Sequence, residues 1–167
     1  MDGIYHEMEL DRINDIVKLN VQVMLNVTHR FINHSIKNTN NLIVFMSSCT
    51  SIGPRYGLSM YSSTKAFIKQ FGKSVAREYK HIDCTTFVPW HISTEMIGNL
   101  PTNIGVCTPE EFVDSAFVHV GLTPAIDPYI PHYLQDWSYD RVPDVVKAHF
   151  AKIEYMSFEE GKEKKMN

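Results

Sequence analysis

No apolar run in this chain approaches the roughly 18 residues that span a bilayer. The N-terminal stretch MDGIYHEMELDR is acidic and lacks the basic and apolar regions of a signal peptide. No run of Arg and Lys is interleaved with aromatics, and the net charge is −3, so nothing points to nucleic acid. None of the eight histidines falls in an HExxH or comparable pair, which argues against a metal site. The 3 cysteines, Cys49, Cys84 and Cys107, are odd in number and widely spaced, as expected of reduced core thiols. No internal repeat is visible. Taken alone, these absences predict a soluble, reduced chain of one domain.

What is present alternates between two periodicities. Leu10, Ile13, Val17, Val21, Met24, Thr28 and Phe31 recur at three or four, the spacing of a long amphipathic helix. Leu42 to Met46 (LIVFM) is a short continuous apolar run, as in a parallel strand buried on both faces. A loop with Gly53, Pro54 and Gly57 leads to a helix predicted from about Ser59 to Lys80, and Cys84 to Val88 reads as a second strand stopped by Pro89. Thr108-Pro109-Glu110-Glu111 combines a threonine N-cap, proline at the first helical position and a glutamate able to close a capping box. That helix should end before Gly121. Tyr129 to Leu134 is a candidate third strand, and Asp140 to Tyr155 a last amphipathic helix with Val142, Val145, Val146, Phe150 and Ile153 on its apolar face. The alternation predicts an α/β fold with a parallel sheet of about three strands and flanking helices.

Chemistry concentrates between Met46 and Phe67. Tyr61 and Lys65 stand one helical turn apart on one face. A tyrosine titrates near ~10. A neighbouring ammonium favours the phenolate and moves it toward general acid–base use. Ser48 lies just past the end of a buried parallel strand, where open α/β sheets place their ligands. A Tyr-x-x-x-Lys pair by itself more often marks an ordinary helix surface; the serine thirteen positions upstream adds a condition. Asn20 falls on the stripe assigned to the core. An amide there either is satisfied locally at a helix kink or holds a water or the lysine in a proton relay.

Asn20 in KLNVQ, Ser48 in LIVFMSS, and Tyr61 and Lys65 in YSSTKAF, in this order and spacing, resemble the catalytic tetrad of the short-chain dehydrogenase/reductase family. The segment from Val88 to Thr94 looks like the family's stretch beside the nicotinamide carboxamide, with Trp90 where many members have glycine. Within the family the chain looks most like the branch of 3-ketoacyl-CoA reductases and 17β-hydroxysteroid dehydrogenases, through Trp90, TPEEFVDSAFVHVGL and Pro128 to His132. The resemblance implies the later half of a Rossmann-like doubly wound sheet. Residues 1–157 would be its catalytic half and residues 158–167 a polar tail. No Gly-x-x-x-Gly-x-Gly turn occurs, and the 8 glycines are scattered. The first four strands, the cofactor half and any N-terminal membrane anchor are therefore expected upstream.

The resemblance further implies NADPH-dependent reduction of a ketone, with Asn20, Ser48, Tyr61 and Lys65 catalytic. Tyr61, Lys65, Pro89, Ile92 and Thr94 would meet the NADP(H) cofactor; Ser48, Trp90 and Met96 would meet a lipid-like substrate, a long 3-ketoacyl-CoA or a steroid. The candidate pocket lining also includes Ile97, Tyr133 and Trp137. Expected partners are a second copy in a homodimer, or a full-length relative. The ending Lys164-Lys165-Met166-Asn167 fits the dilysine pattern that retrieves endoplasmic reticulum membrane proteins, which predicts the cytosolic face of that membrane. The competing reading is an inactive relative that serves only as an interaction or dimerisation partner.

Overall fold

The computed structural model describes residues 3–35 and 41–166; the side chains of residue 154 and of residues beyond 156 lie outside that description, and with them the dilysine motif. A short 3-10 turn at Tyr5–Glu7 precedes helix α1 (Leu10–Val17), a π-turn (Lys18–Val23) and helix α2 (Met24–Ser35). Strand β1 (Asn41–Met46) leads through a 3-10 turn (Cys49–Ser51) to the long helix α3 (Ser59–Glu78) and strand β2 (Ile82–Phe87). Short strands β3 (His91–Ile92) and β4 (Val106–Cys107) flank a loop, and helix α4 (Pro109–His119) follows. Strand β5 (Ala125–Ile126), helix α5 (Ile130–Tyr139) and helix α6 (Asp144–Met166) complete the order.

The expected α/β architecture is present. Three parallel strands run in the order β1-β2-β5, with Phe45 opposite Thr86 and Phe87 opposite Ile126. β3 and β4 form a separate parallel pair. One core joins Ile32 of α2, Phe45 of β1, Ile68 and Val75 of α3, and Ile82 and Cys84 of β2. α3 comes close to the sheet at Gly72, where an added Cβ would lie 2.8 Å from Phe45 and would also collide with the Thr86 hydroxyl. A second, smaller core on the other face joins Phe87, Cys107, Phe112 and Ala116. All three cysteines are buried free thiols. The capping box at Thr108 is complete, with the Thr108 hydroxyl accepting from Glu111 N and Glu111 accepting from Thr108 N. Gly121 ends that segment at φ 76°.

Four expectations need correction. The single long helix is broken by the π-turn, which inserts a residue into the turn and rotates the apolar stripe. Ile16, Thr28 and Ile32 are buried, while Leu10 and Val17 of the expected core face stand in solvent. β1 is not covered on both faces: Phe45 is buried, but Leu42, Val44 and Met46 are exposed at 44%, 41% and 43%. These three share a face with Phe87, and α4 packs over Phe87 without reaching β1. Tyr129 to Leu134 is the start of α5 rather than a strand, and the third strand is Ala125–Ile126. Pro131 suits the first turn of a helix, and the Asp127 carboxylate accepts from Tyr129 N at 3.2 Å to turn the chain into it. The last helix begins at Asp144 after Pro143, and Val145, Phe150 and Ile153 are exposed while Ala151 and Tyr155 are buried.

Candidate active site

The carboxyl end of β1 meets the first two turns of α3. Ser47 N donates to Phe87 O at 2.8 Å and Cys49 N to Pro89 O at 2.9 Å, so the strand pairing carries on past β1 and β2. This ties the Ser48 loop to the segment that begins at Pro89. Ser48 caps the 3-10 turn, its hydroxyl accepting from Thr50 N at 3.2 Å. Its neighbour Ser47 is buried and donates to the carbonyl of Lys65 at 2.7 Å. That bond fixes α3 against the strand end and leaves the half-buried Ser48 as the hydroxyl at the cleft.

Lys65 Nζ lies 5.5 Å from the Tyr61 ring centroid and donates to Met46 O at 3.0 Å, using one of its three N–H groups. Burial holds the Lys65 ammonium below its ordinary titration range. Asn20 sits in the π-turn and donates to Thr64 Oγ1 at 3.1 Å, and Thr64 Oγ1 donates to Tyr61 O at 2.8 Å. The amide is therefore satisfied across the helix pair. Its partner is Thr64, between Tyr61 and Lys65, rather than the lysine itself. A π-turn of this kind often marks a functional site, and here it turns Asn20 toward α3. Asn20 of the π-turn, Tyr61 and Lys65 of α3 and Ser48 after β1 are thus brought to the carboxyl end of β1.

The remaining expected residues divide. Ile92 is half-buried in β3 against the second core. Thr94 opens the 3-10 turn Glu95–Ile97 without a side-chain cap bond. Met96 is 88% exposed. Trp90 is held twice by α5: its backbone N donates to His132 Nδ1 at 3.4 Å, and its indole Nε1 donates to Asp136. His132 is fully buried, with Asp127 Oδ1 3.6 Å from its Nδ1. Burial pushes the Asp136 carboxyl up to about 6 against the bond from Trp90, and raises Asp127 as well. Sequence reading missed Thr64, Asp127, His132, Asp136 and Arg55. Only the Asp127-Pro128-Tyr129 turn carried a local signal; the other contacts join residues far apart in the chain.

The model of the short chain dehydrogenase family matches residues 1–105. The chain belongs to that family. Over 127 residues it is 25% identical to a very-long-chain 3-oxoacyl-CoA reductase-B of Danio rerio, covering 75% of this chain and 41% of the relative. Over 112 residues it is 30% identical to the 17-beta-hydroxysteroid dehydrogenase type 3 of Homo sapiens, covering 66% and 36%. These relatives fall in the branch expected from the sequence, and the chain spans less than half the length of either. Among solved structures, a 3-ketoacyl-(acyl-carrier-protein) reductase from Brucella melitensis complexed with NADH superposes with a TM-score of 0.64 at 22% identity, covering 75% of this chain and 62% of that one. A short-chain dehydrogenase from Sphingobium yanoikuyae in complex with NADPH gives a TM-score of 0.64 at 23% identity, covering 71% and 49%. The shared architecture is the Rossmann-type fold.

The residues of this chain fit one end of a nicotinamide dinucleotide. Lys65 Nζ uses one of its three N–H groups on Met46 O, and Pro89 O accepts from Cys49 N beside Ser48. A pyrophosphate finds no equivalent cradle in the loop after β1. There, an added Cβ at Gly53 would lie 3.6 Å from Tyr139, and one at Gly57 would strike Tyr155. The rings of Tyr139 and Tyr155 occupy the space beside those two glycines, so their backbone forms no glycine cradle.

Proposed function

We propose that this chain carries the proton-transfer face of an NADPH-dependent reductase that converts a ketone to an alcohol. The observation that carries the reading is the Asn20–Thr64–Tyr61 hydrogen-bond chain with Lys65 beside Tyr61, set at the carboxyl end of β1 next to Ser48. Tyr61 gives its proton to the carbonyl oxygen as that oxygen gains charge. Ser48 donates a hydrogen bond to the same oxygen and orients it. Lys65 stabilises the tyrosinate left behind and holds the ribose beside the nicotinamide. Asn20, fixed on Thr64, orders the entry of a replacement proton through water. Pro89, Ile92 and Thr94 hold the nicotinamide end, and Trp90 and Met96 border the substrate. The dinucleotide, when bound, supplies the hydride.

The substrate is a lipid-like ketone, either a long-chain 3-ketoacyl thioester or a steroid, as the relatives' names suggest. The place of work is the cytosolic face of the endoplasmic reticulum membrane, by resemblance to the 3-ketoacyl-CoA reductase branch. A second reading, an inactive partner of a full-length relative, draws on one observation: β1 is an edge strand with Leu42, Val44 and Met46 uncovered, a surface suited to further chain. The deciding assay follows NADPH absorbance with the protein as isolated from its source, offered a 3-oxoacyl-CoA and a 17-ketosteroid. Alcohol formed from either supports the reductase. No oxidation with both, in protein that still melts cooperatively, favours the inactive partner.

A further inference from the structure

The loop between Ser48 and Tyr61 carries a cation that proton transfer does not use. The Arg55 guanidinium lies 5.4 Å from the Trp90 ring centroid and 4.6 Å from that of Tyr139. The two rings are 5.9 Å apart and crossed at 76°. Aromatic faces attract a guanidinium from above and below, but they do not accept its in-plane N–H groups. Among the described residues no carboxylate pairs with Arg55, and its Nε and Nη2 are buried with no hydrogen-bond partner. A charged donor left unpaired away from water is costly, and the positive charge favours an anion at the one nitrogen that a ligand can reach. Nη1 has no bonded partner and is not among the buried orphan atoms, so it opens to solvent. The charge also reaches the serine end of the cleft. Burial pushes the Cys49 thiol up to about 11, and Arg55 opposes that rise.

We infer that Arg55 is a specificity-determining residue that reads an anionic group on the substrate, so that a phosphate-bearing acyl thioester is taken in preference to an uncharged ketone. This rests on the ketone-reductase reading and narrows its substrate. Trp90 and Tyr139 hold the guanidinium, and because Nε and Nη2 are buried, the two N–H groups of Nη1 are the recognition element. Fixed in the guanidinium plane, they present directed donors to phosphate oxygens, which a freely rotating lysine ammonium would not. A steroid ketone would leave those donors unpaired. Phosphate could come from the substrate or from the dinucleotide, and we assign it to the substrate because Arg55 lies in the loop that follows Ser48, which meets the ketone oxygen.

Calorimetric titration at constant ionic strength tests this with the full chain and its Arg55→Ala and Arg55→Gln variants. The ligands are 3-oxopalmitoyl-CoA, its N-acetylcysteamine thioester, which has no phosphate, and NADPH. The Kd for the CoA thioester should rise about 10- to 100-fold in both variants, with the other two ligands unaffected. Equal affinity of parent and variants for the CoA thioester overturns the assignment, as does failure of the parent to bind it. A loss shared by the phosphate-free thioester also overturns it, since the effect then lies in the cleft rather than in the anion. Weakened NADPH binding with the thioester unchanged moves the phosphate to the dinucleotide and refutes the substrate role. Failure of the reductase reading is a separate result: the affinity contrast persists while NADPH and either thioester yield no alcohol.

Discussion

The segment from α1 to β2 and the segment from Pro89 to α6 are built by different physics. In the first, Ile32, Phe45, Ile68, Val75, Ile82 and Cys84 meet in one apolar core, and Tyr61 and Lys65 lie on α3, one of the elements that form it. In the second, the strands are two residues long, and Phe117, Ile130, Trp137 and Phe150 are exposed. Its loops are fixed by the smaller core around Cys107 and Phe112 and by a polar set, Asp127, His132 and Asp136 gripping Trp90, with Arg55 stacked outside. The residues proposed for proton transfer on α3, Tyr61 and Lys65, belong to the part with the larger apolar core. Those proposed to select substrate, Arg55 and Trp90, lie beside the buried Asp136 carboxyl.

The contrast can be broken most forcefully in the first segment. Phe45→Ala removes a ring from the centre of the core and should cost ~3–5 kcal/mol in urea unfolding. Phe117→Ala, at a position 74% exposed, should change stability by less than ~0.5 kcal/mol. Comparable losses in the two would erase the distinction. Gly72→Ala comes next. Alanine gains up to ~1 kcal/mol in a helix, but the added methyl meets Phe45 and the Thr86 hydroxyl. Overpacking of this kind costs ~1–3 kcal/mol, so the net change should be destabilising; a stabilised variant would mean that α3 shifts freely on the sheet.

The smallest expected effect sharpens the polar side of the comparison. Asp136 is raised from 3.8 to about 6, chiefly by burial. Its folded value lies above its unfolded one, so its contribution is fully present below 3.8 and is lost as pH rises through about 6. The melting temperature of the parent should therefore fall more between those pH values than that of Asp136→Asn. Parallel melting curves for the two would show that Asp136 titrates as an ordinary surface carboxylate.

The same division governs what the sequence could disclose. β1, α3, β2 and the Thr108 capping box depend on local periodicity and local hydrogen bonds, and they lie within a few residues of their expected bounds. The π-turn was legible only as the helix kink allowed for Asn20, because one inserted residue leaves composition unchanged while rotating every later side chain. The exposure of Leu42, Val44 and Met46 was hidden too, since an apolar run does not say which of its faces this chain covers. At Tyr129 to Leu134, aromatic and apolar residues suggested a strand, and the outweighing signals were Pro131 and the Asp127 turn. Of the site, Tyr61 and Lys65 were legible because four residues on a helix is a fixed geometry. Thr64 as the partner of Asn20, and Arg55 on Trp90 and Tyr139, depend on contacts across the fold.

The most direct measurement is turnover by Tyr61→Phe against the parent, with NADPH and a 3-oxoacyl-CoA, both proteins having first been shown to melt alike. Loss of the phenolic proton with the ring retained should lower the rate at least ~100- to 10,000-fold, the range expected when a general acid is removed. Turnover within about tenfold of the parent would contradict the assignment of Tyr61 as proton donor, and with it the claim that the α1–β2 segment carries the chemistry.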